Sequence, residues 1–296
     1  MTRNSEITRK RLVKRQQAVE RSGMTAEEFA GAFSHLRGGL YVERSAILPP
    51  TERIDAIALS ADGQPVVGAI AALIKHGGKW HDADFEVELF RHPSGCGKPG
   101  RGSLVHRTEL TESDVMILDG IAVTTPLRTA YDLGRRGPEW RALGHLDDLA
   151  RATGFSVADL QEYADERDGY RGIRQLRFLI PLIDALAESP PESWVRLMMI
   201  RAELPTPDLQ IEVENESGHV YARIDLGYRE PKIAIEYDGE DFHSTPEQRA
   251  HDAARDEQLR RDGWIVIRIN AEQLRTAPWL IIIAIENALR SRGAYF

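Results

Sequence analysis

Three carboxylates, Asp225, Glu236 and Asp238, fall in two short apolar runs, 221–228 and 232–238, separated by a turn at Glu230 and Pro231. Both runs read as strands. Side chains alternate across a strand, so Glu236 and Asp238 share one face while Ile233, Ile235 and Tyr237 share the other. With Asp225 ending its strand beside them, the oxygen-rich group suits a hard divalent cation, and such a site suits metal-assisted cleavage of a phosphodiester. The competing reading is a solvated strand edge carrying ordinary surface acids. Spacing alone leaves both open.

The elements around these residues would have to position them. Ser189, Pro190 and Pro191 start a helix over 192–203 with Glu192 in its first turn. His243 follows the strands, then an amphipathic helix over 246–262, an apolar strand from Trp264 to Ile269 and a last helix over 278–292. The order is helix, strand, strand, helix, strand, helix, with Glu192, Asp225, Glu236, Asp238 and His243 at the mouth.

From Ser189 onward this pattern resembles the endonuclease-like domains related to very-short-patch-repair (Vsr) endonucleases, within the PD-(D/E)XK superfamily. The matching pieces are Glu192 after its two prolines, Arg223 and Asp225, Glu236 with Asp238 and Gly239, and His243. Downstream they are Arg249, Asp252, Arg255 and Leu259, then Gly263, Trp264, Val266 and Arg268. Several motifs in the right order over roughly a hundred residues make the match specific, whereas a lone Glu-x-Asp would be weak. The usual Glu-x-Lys is Glu-x-Asp here, with Asp238 in the lysine's place, which puts the lysine's role in doubt. The resemblance implies a C-terminal restriction-endonuclease-like mixed sheet flanked by helices.

Read this way, Asp225 and Glu236 bind a divalent ion, magnesium or manganese, with the backbone carbonyl of Tyr237 as a third ligand. Asp238 holds a second ion, orients water or only fixes the strand ends. Glu192 reaches the site as a water-mediated ligand, or else complements the helix dipole. His243 titrates near neutral pH and suits general acid or base work, against the plainer reading of an incidental loop histidine. Arg249 and Arg255 flank Asp252 on one helix and contact phosphates, or form an ion-pair network with it.

At 296 residues with 42% hydrophobic content the chain can build more than one core. Ile281–Ile285 is too short to span a membrane, no stretch looks like a signal peptide, and the lone Cys96 allows neither an intrachain disulfide nor a cysteine-rich zinc site. The expectation is a cytoplasmic protein with DNA as partner, and a homodimer if two strands are cut. The net charge of −8 is awkward for that partner. Residues 188–296 hold 13 Lys and Arg against 20 Asp and Glu. Bound cations offset part of this excess. The basic counterweight is N-terminal, where Arg9, Lys10, Arg11, Lys14 and Arg15 are candidate nucleic-acid contacts.

Residues 1–45 form a candidate winged helix-turn-helix: a helix over 5–22, a second helix opened by the capping box Thr25–Glu28 and running to about His35, then a strand at 40–42. A small helical bundle or a solvated basic tail is the plainer alternative. Residues 46–137 mix a helix (66–75) with strands at 85–90 and 103–107. The stretch 121–133, ending in a helix with an Arg128–Asp132 pair, resembles the middle region of abortive-infection type IV antitoxin-like proteins. Residues 138–188 read as a helical bridge, with Leu176, Ile180, Ile183 and Leu186 as a buried stripe, and 189–296 as the nuclease-like domain. The chain is thus expected to be α/β (α+β). Three function classes follow: a metal-dependent DNA endonuclease of phage defence, mobile elements or repair; a non-catalytic DNA-binding regulator or antitoxin whose nuclease-like domain is structural; and an acidic interaction module.

Overall fold

The computed structural model divides into two units. Met1–Arg136 with Ala152–Arg177 form the first, and Gly137–Arg151 with Phe178–Phe296 the second. The structure describes residues 12–14, 23–37, 39–44, 48–94, 102–239 and 246–294. Residues 138–188, expected as a bridge, are shared between the units.

The first unit begins with β1 (Leu12–Lys14), α1 (Ala26–Ala32), β2 (Phe33–Arg37) and β3 (Leu40–Glu43), the strands forming an antiparallel sheet in the order β1-β3-β2. The helix expected over 5–22 is corrected at 12–14, a strand whose Leu12 and Val13 pair with Val42 and Tyr41. Tertiary pairing overrides a weak helical preference there. Its remaining residues lie outside those described. Thr25 and Glu28 close the expected capping box at 3.2 and 2.8 Å. The helix then stops at Ala32 rather than His35, because Phe33 turns into β2 and stacks on Phe29.

The same unit continues through α2 (Pro50–Ser60), β4 (Val66–Val67), α3 (Ala69–Lys75), β5 (Val87–Arg91), β6 (Ser103–Arg107), β7 (Val115–Leu118), β8 (Ile121–Thr124) and α4 (Pro126–Gly134). Its second sheet runs β6-β5-β4-β8-β7, over a core that includes Ile54, Ile57, Val67, Leu89 and Val123. Val66 and Val67, expected as helix, are instead the central strand. Arg128 bonds Asp132 at 2.8 Å and Asp114 at 3.2 Å, and Tyr163 donates to Asp114 at 2.5 Å. After α5 (Glu139–Thr153), which lies almost wholly in the second unit, come α6 (Val157–Asp165) and α7 (Ile173–Leu179). The helical bridge expected to reach residue 188 stops early, where Pro181 removes a backbone donor. Leu186 is therefore 56% exposed and leaves the predicted stripe.

The second unit adds α8 (Pro190–Arg201), β9 (Asp208–Glu214), β10 (Val220–Tyr228), β11 (Ile233–Asp238), α9 (Pro246–Arg261), β12 (Ile265–Asn270), α10 (Ala271–Thr276) and α11 (Pro278–Ser291). Its sheet runs β12-β11-β10-β9, antiparallel except for the β11–β12 pair. β9 was absent from the sequence reading. Helix α8 starts on Ser189, whose hydroxyl accepts from the Glu192 amide. It is tied to α5 through the buried Asp147, which accepts from Ser193 (2.6 Å) and Arg196 (2.6 Å). That anchoring fixes where Glu192 sits. No described helix is long and apolar enough to cross a membrane.

Candidate active site

The register of the second sheet lines up four polar residues. Leu226 pairs with Ile235, so the next position sets Asp225 level with Glu236. Glu236 pairs directly with Arg268 on β12. On the other flank Leu209 and Ile211 pair with Leu226 and Ile224, which brings Gln210 level with Asp225. Gln210, Asp225, Glu236 and Arg268 thus form one transverse row across all four strands. Gly227 lets β10 lie this close, because a Cβ there would collide with the Ile233 carbonyl oxygen.

Each member has a defined environment. The Asp225 carboxylate accepts from the Tyr237 backbone N–H at 3.1 Å. Glu236 is 4% exposed, and its Oε2 accepts from Arg255 at 3.0 Å and from Arg268 at 2.8 Å. Its Oε1 is buried without a hydrogen-bond partner among the described residues. Glu192 is buried at the start of α8, where its Oε2 accepts from the Glu188 backbone N–H (2.9 Å) and the Gln210 amide (3.1 Å). Arg268 bonds Asp256 through two nitrogens (2.9 and 2.6 Å) and Asp238 through a third contact (2.6 Å).

Burial holds the carboxyls of Glu192, Asp225 and Glu236 above their usual range. The charge on Asp225 pushes Glu192 and Glu236 further up, while Arg255 and Arg268 pull Glu236 down. Asp225 therefore sits electrostatically between two other acids. Asp225 thus neighbours Glu192 and Glu236, and Arg268 links Glu236 to Asp238. Arg255 lies against Glu236. The side chains of Lys14 and Arg249, and all of Arg9, Lys10, Arg11, Arg15 and His243, lie outside the described residues.

Among the described residues, no three acidic, histidine or cysteine side chains are close enough to hold a metal by themselves. Magnesium asks for less, commonly one or two carboxylates with water completing its shell. Two register-matched carboxylates and a buried, unpartnered Glu236 oxygen fit that requirement. Three residues of the arrangement, Gln210, Arg268 and Asp256, were not assigned to the site from sequence. Gln210 was hidden with β9. Arg268 belongs to the sequence pattern, but only the strand register places it opposite Glu236.

A mixed four-stranded sheet offering carboxylates from adjacent strands, with another from a preceding helix, belongs to the restriction-endonuclease-like class. Residues 200–289 match the family model REase_MTES_1575, and residues 66–182 match the AbiEi antitoxin C-terminal domain. The chain thus carries a restriction-endonuclease-like domain behind an AbiEi-type antitoxin domain. Two uncharacterized proteins of Mycobacterium tuberculosis, MT2308 of strain CDC 1551 / Oshkosh and Rv2248 of strain ATCC 25618 / H37Rv, are 30% identical over 181 residues. The alignment covers 61% of this chain and 66% of each relative, just under two thirds of their length. A crystal structure of the RV2827C protein from the same species superposes with a TM-score of 0.41 at 14% identity, over 71% of this chain and 86% of that one.

Proposed function

We propose that the C-terminal unit is a metal-dependent nuclease that hydrolyses phosphodiester bonds of DNA, acting in the cytoplasm in phage defence, mobile-element biology or repair. The observation that carries this reading is the buried Glu236 oxygen beside Asp225, on a sheet that matches a restriction-endonuclease-like family. Asp225 and Glu236, with the Tyr237 carbonyl, would hold magnesium or manganese. The bound ion supplies Lewis-acid polarisation of the scissile phosphate and acidifies a water.

The chain's own residues do the rest. Glu192, whose pKa burial raises, takes the proton of the attacking water. The leaving oxygen needs a proton in return, for which His243 is the candidate. Arg255 and Arg268 favour the charged form of Glu236 and orient it. Asp238, 54% exposed and bonded to Arg268, orients that arginine. Arg249 and the basic residues Arg9, Lys10, Arg11, Lys14 and Arg15 contact phosphates, and a homodimer would bring two centres to two strands.

A second reading rests on the AbiEi match over residues 66–182. Under it the chain is a DNA-binding regulator of the antitoxin kind, and its nuclease-like unit is structural. Cleavage of supercoiled, linear and single-stranded DNA with magnesium or manganese, beside Asp225→Asn and Glu236→Gln, separates the two. The nuclease reading expects cleavage by the wild-type chain that both variants lose. Cleavage that survives in both variants, or none by the wild type with either ion, sinks it.

A further inference from the structure

Gln210 has three features that an ordinary strand residue lacks. Its backbone is left-handed, with φ at 49°, a region that residues other than glycine seldom occupy. The pairs on either side, Leu209 with Leu226 and Ile211 with Ile224, nevertheless keep their register. The distortion is thus confined to the one residue level with Asp225. Second, its amide is locked. Glu192 as a carboxylate only accepts hydrogen bonds, so the Gln210 group 3.1 Å from it is the NH2. The amide oxygen is then fixed by elimination. Third, that oxygen, Oε1, is buried and has no hydrogen-bond partner among the described residues.

A buried amide oxygen without a partner is uncommon in folded proteins and calls for a physical reason. Glu236 presents the same condition two strands away in the same row, with a carboxylate oxygen that is buried and unpartnered. Two oxygens of different residues, flanking Asp225 on both sides, are therefore held with unused lone pairs. A neutral amide oxygen is a good ligand for a hard cation, and it adds no charge to a site already crowded with carboxylates. We propose that Gln210 is a further cation ligand of this site, its Oε1 binding the metal or a water of its shell, with Glu192 acting as the positioning residue that aims it. The inference rests on the metal-dependent reading of the C-terminal unit.

The test is titration calorimetry of the full chain with Mn2+, on wild type, Asp225→Asn, Gln210→Gly and Gln210→Glu, with thermal melts of each. Glycine accepts the left-handed backbone, so Gln210→Gly removes the oxygen with little strain. Gln210→Asn, which also tolerates that backbone but is one methylene shorter, serves in its place if the glycine variant melts early. The expected result is Mn2+ binding by wild type, its loss in Asp225→Asn, and an affinity about 10- to 100-fold weaker in Gln210→Gly. Gln210→Glu restores an oxygen and holds the affinity at or above wild type. Its melting temperature should also rise more on adding Mn2+, since the ion relieves repulsion from Glu192.

If Gln210→Gly binds like wild type while Asp225→Asn does not bind, the cation site stands and Gln210 has no part in it. If Gln210→Gly and Gln210→Glu weaken binding equally, Gln210 serves only as a hydrogen-bond partner of Glu192, and the ligand assignment is wrong. Absence of Mn2+ binding by wild type, or undiminished binding by Asp225→Asn, would instead overturn the metal-dependent reading and this inference with it.

Discussion

Replacing Arg268 by glutamine tests the electrostatics of the site most directly. Arg268 lies within 2.6 Å of Asp238, 2.8 Å of Glu236 and 2.6 Å of Asp256, and its side chain is only 27% exposed. Glu236 and Asp256 are 4% and 7% exposed, so neither can recover its loss from water. One such pair is worth about 4 kcal/mol by Coulomb's law at an effective dielectric of about 20 and a charge separation of about 4 Å. Removing one partner of a buried pair costs about 3–5 kcal/mol. Arg255 remains 3.0 Å from Glu236 and Arg260 3.8 Å from Asp256, which places the expected loss near the lower bound, about 3 kcal/mol.

The pH dependence has a definite sign. Burial already raises the folded-state pKa of Glu236, and losing a guanidinium raises it further. A group with a raised folded pKa contributes stability that is present below its unfolded value and lost as pH rises through the folded one. The deficit of Arg268→Gln should therefore be largest above the shifted pKa and shrink towards the ordinary carboxylate range. Urea denaturation at about pH 8 and about pH 5 measures it. A loss below about 1 kcal/mol at the higher pH, the figure for a surface ion pair, would refute the reasoning. So would a loss that is the same at both.

Two further outcomes follow from the same geometry. Asp147→Ala leaves Arg196, 3% exposed, without its carboxylate, and removes the acceptor of Ser193 and of the Asp184 N–H. It should cost about 3–5 kcal/mol in urea denaturation, and it should weaken Mn2+ binding because α8 carries Glu192. In the wild type, Mn2+ affinity should fall as pH drops through the raised pKa values of Glu192, Asp225 and Glu236, because protons compete with the ion for the same oxygens. Calorimetric titration over that range checks it, and an affinity that does not change with pH would contradict it.

The strands around Asp225 and Glu236 were legible because their short apolar runs are bounded by a turn. So was α8, where Ser189 and two prolines mark the start independently of any tertiary contact. β9 was not legible. Its run Leu209, Ile211 and Val213 alternates correctly, but it is short, with Gln210 and Glu212 between them, and its pairing with β10 is long-range. Val66 and Val67 failed for a related reason: two residues are too few to show a period, and their strand exists because β5 and β8 lie on either side. Residues 12–14 were read as helix because pairing with β3 leaves no local mark.

The same division governs the site. A carboxylate's capacity to bind a cation belongs to its residue type, so Asp225 and Glu236 could be nominated from sequence. Whether a guanidinium or an amide supports them depends on register between strands, which sequence spacing does not encode. The acidic C-terminal region looks different once that register is known. Around the row, Arg223, Arg255, Arg260 and Arg268 face Glu188, Glu192, Asp225, Glu236, Asp238 and Asp256. Four positive charges against six negative ones leave a deficit that a single divalent cation would cancel. Part of the negative balance that seemed to oppose phosphate binding is thus concentrated where a cation would neutralise it, by the strand register for Asp225, Glu236 and Asp238 and by the flanking helices for Glu192 and Asp256.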